Sequence, residues 1–397
     1  MATYHRVVVE LPMWPARCAR MKRLLWLGVA AQLLVTAPLA IAGVAPAAPV
    51  AAPRAGAPTN NSDHFGHLPE TFADVRKDGA DVFENAEAIR AGTPTAHVGD
   101  KTFVAIKPGA KSLNVDGVKY YRTDQGWIAR TQLSWYSPSE FAGEQIDATA
   151  LPTWAYPHRI GLALVARAAP DRKAAVARKL KPRELVTVLE QRDGFVRLQS
   201  NTTAEEWLDA RDIKQVVRVP RPTGVTADER WIDIDLDKQI LVTYQGDQPV
   251  FATLISTGKP KWETPAGVYR IVDKRERARM QADGPTEQWN VAAVPWTMTF
   301  RKNFALHGTY WHDGFGRARS HGCVNLAPAD AHRIFDFVIA PPPPVKTKAK
   351  AKNAPTLDTT TPAPPVVLGT PVQLRRGKEQ TPAWRDYKGG LLPAVVP

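Results

Sequence analysis

The chain has 397 residues, 44% of them hydrophobic, and carries 52 Lys and Arg against 39 Asp and Glu, a formal net charge of +13. That apolar content excludes a chain disordered throughout, and the length suffices for more than one core, so two domains are the default. The basic balance favours anionic partners such as nucleic acid, acidic lipid headgroups or an acidic cell-wall polymer.

In chain order the first signal is one of export. From Met21, read as the true start, Lys22-Arg23 precede an apolar run from Leu24 to about Ala37, and Ala40-Ile41-Ala42 stand before Gly43. Charged, apolar and small residues in that order predict a secretory signal over 1–42. An uncleaved membrane anchor over Leu24 to Ala42 is the alternative, since the run is nearly long enough to span hydrocarbon. Either way the folded part is expected in the periplasm or cell wall, which argues against nucleic acid as a partner and for association with wall polymer. Of the two cysteines, Cys18 falls in the export segment, so Cys323 is the single thiol left. In an oxidising compartment structural cysteines come in pairs, so a lone one is accidental or reactive.

Residues 43–61 are rich in Ala, Pro and Gly and read as a linker. The region 62–218 then shows a faint repeat. Asp116-Gly117-Val118-Lys119-Tyr120 leads to Gly126-Trp127-Ile128-Ala129-Arg130, and Asp193-Gly194-Phe195-Val196-Arg197 leads to Glu206-Trp207-Leu208-Asp209-Ala210. Each is a turn, an alternating strand, a polar gap and a Trp-led strand, with a further strand at Glu184 to Glu190 before the second copy. This pattern resembles bacterial SH3-like domains, which implies one or two small β-barrels; wall-peptide binding and a purely structural barrel are equally open readings.

From 228 the strands lengthen. Trp231 to Leu236 and Gln239 to Tyr244 flank Asp237-Lys238 as a tight hairpin, and Phe251 to Thr257 continues the sheet. Thr264-Pro265-Ala266-Gly267-Val268-Tyr269 is a turn feeding a strand, and Trp296 to Phe300 is another. Helical periodicity appears at Pro328 to Phe337, with Ala331, Ile334, Phe335 and Val338 on one face. The fold class expected is mainly β with one short helix. A Pro/Lys-rich segment, 341–365, reads as a solvated insertion without activity of its own, a tether to anionic polymer being the alternative.

The most informative run lies between His307 and Asn325. It places Cys323 after Ser320-His321-Gly322, with His307-Gly308 upstream. A thiol that attacks a carbonyl needs a base, an acceptor that orients that base, and backbone amides for the oxyanion. His307 is the expected base, with the Gly308 carbonyl holding its other ring nitrogen. Gly322 allows close backbone approach, so that its amide or that of Cys323 faces the oxyanion. His321 lines the same pocket as second base, donor or scaffold, and Ser320 orients the loop.

This run, with Thr264 to Tyr269 before it and Gly369-Thr370-Pro371-Val372-Gln373-Leu374 after it, resembles the L,D-transpeptidase (YkuD) catalytic domain over 228–375, leaving 376–397 as a tail. The resemblance implies a Cys323 thioester formed on a peptidoglycan tetrapeptide stem, release of D-alanine, and attack by an amine of a neighbouring stem. It implies no metal and no cofactor. Asn325 stands where many members carry Arg, and is read as a loop-fixing amide. Thr309 to Arg319 is expected to be a lid hinged at Gly314 and Gly316, with Tyr310 and Trp311 walling the donor site and Arg317 and Arg319 meeting stem carboxylates. For those two arginines a solvated loop is an equally open reading.

Three alternatives stay open from the residues. A zinc site on His307, His312, His321, His332 and Cys323 lacks a matching ligand spacing. Water as acceptor makes the enzyme an L,D-carboxypeptidase or endopeptidase. A non-catalytic wall-binding protein would use only the N-terminal region and the basic segment.

Overall fold

The structure is a computed structural model describing residues 68–147, 150–283, 288–341, 369–377 and 382–392. The expected export signal, the linker 43–61 and, beyond Pro341, the Pro/Lys-rich insertion lie outside the described residues.

The N-terminal repeat is present as two copies of one β unit. In the first, Asp116 and Gly117 (φ 49° and 81°) form the turn between strands Ser112–Val115 and Val118–Arg122. In the second, Asp193 and Gly194 (φ 52° and 78°) do the same between Val188–Arg192 and Phe195–Leu198. Two successive positive φ angles match the right-handed twist of a hairpin, which is why Asp-Gly recurs at both sites. Each copy then adds its Trp-led strand, Trp127–Ala129 or Glu206–Asp209. A 3-10 turn follows, then a closing strand at Leu133–Trp135 or Ile213–Gln215. The strands of each copy are divided among more than one sheet rather than joined in one closed ladder among the described residues. Glu184 to Glu190 is not a single strand either. It is broken between Glu184–Leu185 and Val188–Arg192, whose first residues pair with different sheets.

In the C-terminal half the strands are β1 (Arg230–Asp235), β2 (Ile240–Gln245), β3 (Gln248–Leu254), β4 (Gly267–Arg270), β5 (Asp273–Asp283), β6 (Gln288–Arg301), β7 (Phe304–Gly308), β8 (Val324–Leu326) and β9 (Pro371–Arg375). One helix, α1 (Pro328–Phe337), follows β8. A first sheet runs β4, β9, β1, β2, β3, and is extended by Glu144–Gln145 of the connecting segment. A second runs β8, β7, β6 and carries β5 on β6 alone. Residues of both sheets and of α1, among them Ile232, Tyr269, Met298, Leu306, Val324 and Ile334, share one core.

The β1–β2 connection is a four-residue loop, longer than the tight hairpin expected. Asp235 Oδ1 accepts the Asp237 and Lys238 N–H groups (3.1 and 2.8 Å), and Gln239 turns at φ 59°. That carboxylate cap takes Leu236 from the end of the first predicted strand and Gln239 from the start of the second. Strand β9 lies parallel to β1, so the chain returns to the middle of the sheet after its basic insertion. Thr370 N donates to Ile339 O (2.9 Å), so the insertion leaves and re-enters at one point. On that return Arg375 reaches the buried Asp233 with Nε and Nη2 (3.0 to 3.1 Å) and Asp235 with Nη1 (3.0 Å).

The second sheet does not end within the C-terminal half. Residues Asn290 and Val291 of β6 pair in parallel with Thr102 and Phe103, and strands Thr102–Ile106, Thr71–Val75 and Leu133–Trp135 of the first N-terminal unit continue the sheet.

Candidate active site

His307 and Cys323 are brought together by a parallel pairing that joins distant stretches of chain. His307 of β7 is the register partner of Asn325 of β8. Side chains alternate along each strand, so Ala305, His307, Cys323 and Asn325 emerge on one face, while Leu306, Val324 and Leu326 enter the core. Gly308 falls on the core side, where a Cβ would lie 2.8 Å from Pro295 Cγ and 3.2 Å from Ala331 Cβ. Glycine there lets the end of β7 close on β6 and α1.

His307 is 2% exposed, and its Nδ1 is 3.0 Å from the Gly308 carbonyl. With Nδ1–H donating to that oxygen, Nε2 is left as the base. Burial pushes the imidazole pKa down to about 4, against a smaller opposing effect of the Gly308 hydrogen bond. Cys323 is half-buried, with Sγ 3.8 Å from the Asn303 carbonyl. Burial pushes its thiol up to about 11, opposed in part by the Ala305 amide. At neutral pH the pair is therefore thiol and neutral imidazole.

A pH test follows. With the thiol held high, the thiolate fraction rises about tenfold per pH unit below that value. The rate of Cys323 alkylation by iodoacetamide is therefore expected to climb steadily from pH 6 to 9. A plateau already reached by pH 7 would instead reveal a preformed thiolate–imidazolium pair.

Hydrogen bonds shape the loop before Cys323. Ser320 Oγ donates to Cys323 O and accepts the Gly322 N–H (3.0 Å). Thr264 Oγ1 donates to Gly322 O (2.7 Å) while accepting the Gly258 N–H (2.9 Å), which ties the Thr-Pro turn to the nucleophile loop. Beyond β3 the chain crosses to the same loop: Ser256 bridges Asn325, and Gly258 bridges Ser320. Gly322 sits at φ 121°, and a Cβ on it would lie 2.7 Å from Phe304 Cε1. Gly322→Ala is accordingly expected to cost about 1–3 kcal/mol of stability and most of the thiol's reactivity, read by thermal melting and alkylation rate.

Cys323 and His321 open onto a cavity of about 1150 Å³ lined largely by the β5–β6 hairpin, Arg279, Met280 and Trp289 among its residues, and by Tyr387. His321 is exposed, with its ring near Trp262 and Trp289 (centroids 5.2 and 6.0 Å) and Nε2 3.0 Å from Lys259 Nζ.

Several expected placements are corrected. Tyr310 does not wall the donor site: it is 1% exposed, stacks on Phe72 at 3.7 Å, and donates its hydroxyl to Ala292 O (2.8 Å). Trp311 lies against the His307 ring (5.8 Å) and against Phe103, outside the cavity lining. Arg317 donates to Pro157 O (2.6 Å) and covers Tyr156, and Arg319 folds back over Gly314, so neither lines the cavity. The stretch Thr309 to Arg319 is a packed brace, not a hinged lid. Phe315 is buried, its carbonyl accepts the Tyr156 hydroxyl (2.9 Å), and Asp313 is clamped by Arg183 (2.7 and 2.6 Å). The Gly322 amide is committed to Ser320, which leaves the Cys323 amide as the candidate for the oxyanion. The histidines do not converge: His312 Nε2 is 2.9 Å from the Asn325 amide, and His332 stacks on Trp296 (4.5 Å). Asn325 itself is buried and bridges Ser256 in both directions (2.8 and 3.0 Å).

Apart from the strand expected at Trp296 to Phe300, the hairpin wall had no sequence signal. Asp273 to Asp283 is dominated by charged residues and lacks apolar alternation, and β6 is interrupted by Pro295 and by positive φ at Ala293 and Trp296 (45° and 49°). Thr264 was legible as part of a motif, but its bond to Gly322 was not.

Together these features define a β-rich domain with a cysteine–histidine site at the edge of a covered cavity. Residues 229–374 match the family model of the L,D-transpeptidase catalytic domain (YkuD). No curated protein matches the chain. Among solved structures, the catalytic domain of the Enterococcus faecium L,D-transpeptidase is 24% identical, covering 37% of this chain and 98% of that one (TM-score 0.27). An L,D-transpeptidase from Mycobacterium smegmatis is 17% identical over 68% of this chain and 98% of its own (TM-score 0.29). One from Stackebrandtia nassauensis is 19% identical over 40% of this chain, which spans 61% of that structure's length (TM-score 0.27).

Proposed function

We propose that the protein is an exported peptidoglycan L,D-transpeptidase that acts through a Cys323 thioester. The observation that carries this reading is the placement of His307 and Cys323 on one strand face, with the thiol at a cavity wide enough for peptide stems.

In the first half-reaction Sγ bonds to the carbonyl carbon at the L-centre of the stem's diamino acid while the thiol proton passes to His307 Nε2. The Cys323 amide faces the developing oxyanion. Collapse breaks the C–N bond, the proton leaves with the D-alanine amine, and a thioester remains. An amine of a second stem then attacks the thioester, gives up a proton through His307, and restores the thiol as the crosslink forms. The Ser320 and Thr264 bonds keep the loop backbone fixed, so reorganisation at the oxyanion is small.

Water in place of the amine gives an L,D-carboxypeptidase or endopeptidase from the same residues. Incubation with purified tetrapeptide muropeptides and mass analysis separates the outcomes: crosslinked dimer or exchanged D-amino acid is expected, and tripeptide alone would make the enzyme a hydrolase. The second N-terminal unit, with 13 Lys and Arg against 8 Asp and Glu over 150–218, fits association with anionic wall polymer, whereas the first, with 9 against 12 over 68–147, does not.

A further inference from the structure

We infer that the first N-terminal β unit is a positioning element of the active site, with Glu70 and Asp124 as the residues that hold the β5–β6 hairpin over the cavity. Strand β5 has no strand partner but β6 among the described residues, so its inner face can border the cavity while its outer face needs another support. The N-terminal unit supplies it. Arg277 of β5 makes a two-pronged contact with Glu70 (Nε–Oε1 2.8 Å, Nη2–Oε2 3.2 Å) and lies over Trp296. Arg279, which lines the cavity, donates to Asp124 Oδ2.

Asp124 is itself fixed to the strand that extends the sheet. Its Oδ1 accepts the Ala105 N–H (3.0 Å), and its own N–H donates to Ala105 O (3.1 Å). That strand, Thr102–Ile106, is the one paired with β6, and Asn290 N donates to Lys101 O (3.1 Å). One rigid unit thus holds both strands of the hairpin. The same unit reaches the catalytic base: Phe103 lies 5.9 Å from Trp311, and Trp311 lies 5.8 Å from His307. Phe72, Val291, Ala292 and Tyr310 share one buried cluster beneath these contacts, so the unit and the hairpin move as one packed body.

Glu70 and Asp124 touch neither thiol nor imidazole, and their effect passes through the two arginines. They set the width of the cavity and the orientation of its Arg279 cation, and thereby donor binding. The effect on turnover rests on the transpeptidase reading; the effect on the hairpin does not.

The test uses the full chain with Glu70→Gln, Asp124→Asn, the double variant, and the exchange pair Glu70→Arg with Arg277→Glu. Amide hydrogen exchange over β5 and β6 is expected to accelerate at least about tenfold in the double variant, with β1 and β2 unchanged. On tetrapeptide stems KM is expected to rise about fivefold or more with kcat within about twofold. The exchange pair is expected to restore hairpin protection relative to Glu70→Arg alone. Unchanged exchange over the hairpin, acceleration spread evenly over the whole chain, a fall in kcat alone, or no recovery in the exchange pair would each overturn the proposal. Because hydrogen exchange needs no substrate, a wild-type protein without transpeptidase activity would count against the reaction assigned above and leave the hairpin result to stand by itself.

Discussion

Cys323→Ala is expected to leave no turnover of tetrapeptide stems, and His307→Gln to lower kcat/KM by about a thousandfold, the scale of a lost general base. The two losses have different causes. Without Sγ no acyl-enzyme forms, so intact-mass analysis of Cys323→Ala should show no covalent adduct at any pH. Without the imidazole the thiol remains but has no acceptor for its proton, and burial already holds that proton tightly. Residual activity of His307→Gln should therefore rise with pH as thiolate forms by direct ionisation, partly recovering under alkaline conditions. In the wild type, burial keeps His307 neutral down to about pH 4, so protonation of the base becomes limiting only as pH falls toward that value. An acid limb near pH 6.5 would mean that the base is not the buried His307. Crosslink formation unchanged in Cys323→Ala would favour the non-catalytic wall-binding alternative.

Arg375→Met is expected to be the most destabilising single change in the C-terminal half, by about 3–5 kcal/mol, the cost of leaving buried charge without its partner. Against a typical total of about 5–15 kcal/mol this is a large fraction. Arg375 is the cation for both Asp233 and Asp235, and all three side chains are at least nine-tenths buried. Burial acts against the Arg375 charge, but the two carboxylates outweigh it and raise its pKa, so it stays protonated. Burial already raises the Asp233 pKa against the opposing Arg375 charge, and in the variant that opposition is lost, so its folded-state pKa moves further above the unfolded value. A raised folded pKa means that stability is gained as pH falls and lost as it rises. The melting temperature of Arg375→Met should thus recover in part between pH 7 and pH 5, by more than that of the wild type. A variant as stable as the wild type at pH 7 would show that the segment after the insertion is dispensable to the fold.

The candidate nucleophile and its candidate base were legible because their chemistry is carried by few residue types in close order. A lone cysteine after His-Gly, and a second His-Gly whose own carbonyl holds the ring, are local facts, and Nδ1 of His307 bonds a carbonyl one residue away. The Asp-Gly turns and the Trp-led strands were legible for the same reason, since positive φ at two successive residues selects those types. The return of the chain at β9 was visible in Thr370 to Leu374, although its parallel place beside β1 was not.

What misled was the assumption that a loop next to the nucleophile must cover it. Tyr310, Trp311 and Arg317 have the composition of a binding loop, and their partners Phe72, Phe103 and Tyr156 lie more than 150 residues away in sequence. Burial against such distant surfaces has no local signature, because periodicity reports only which face of an element is apolar and not what meets it.

By itself the sequence determined the thiol, the base, the carbonyl that sets the base, the β-rich class and the duplicated N-terminal unit, all properties of neighbouring residues. Only the tertiary structure decided which segment walls the cavity and which unit supports that wall, since the charged sequence of β5 carries no strand pattern of its own and its place is set by β6, the Thr102–Ile106 strand, Glu70 and Asp124 packed around it. Pairing between strands far apart in sequence is set by the total burial and hydrogen bonding of the fold, a sum that no short stretch of chain contains.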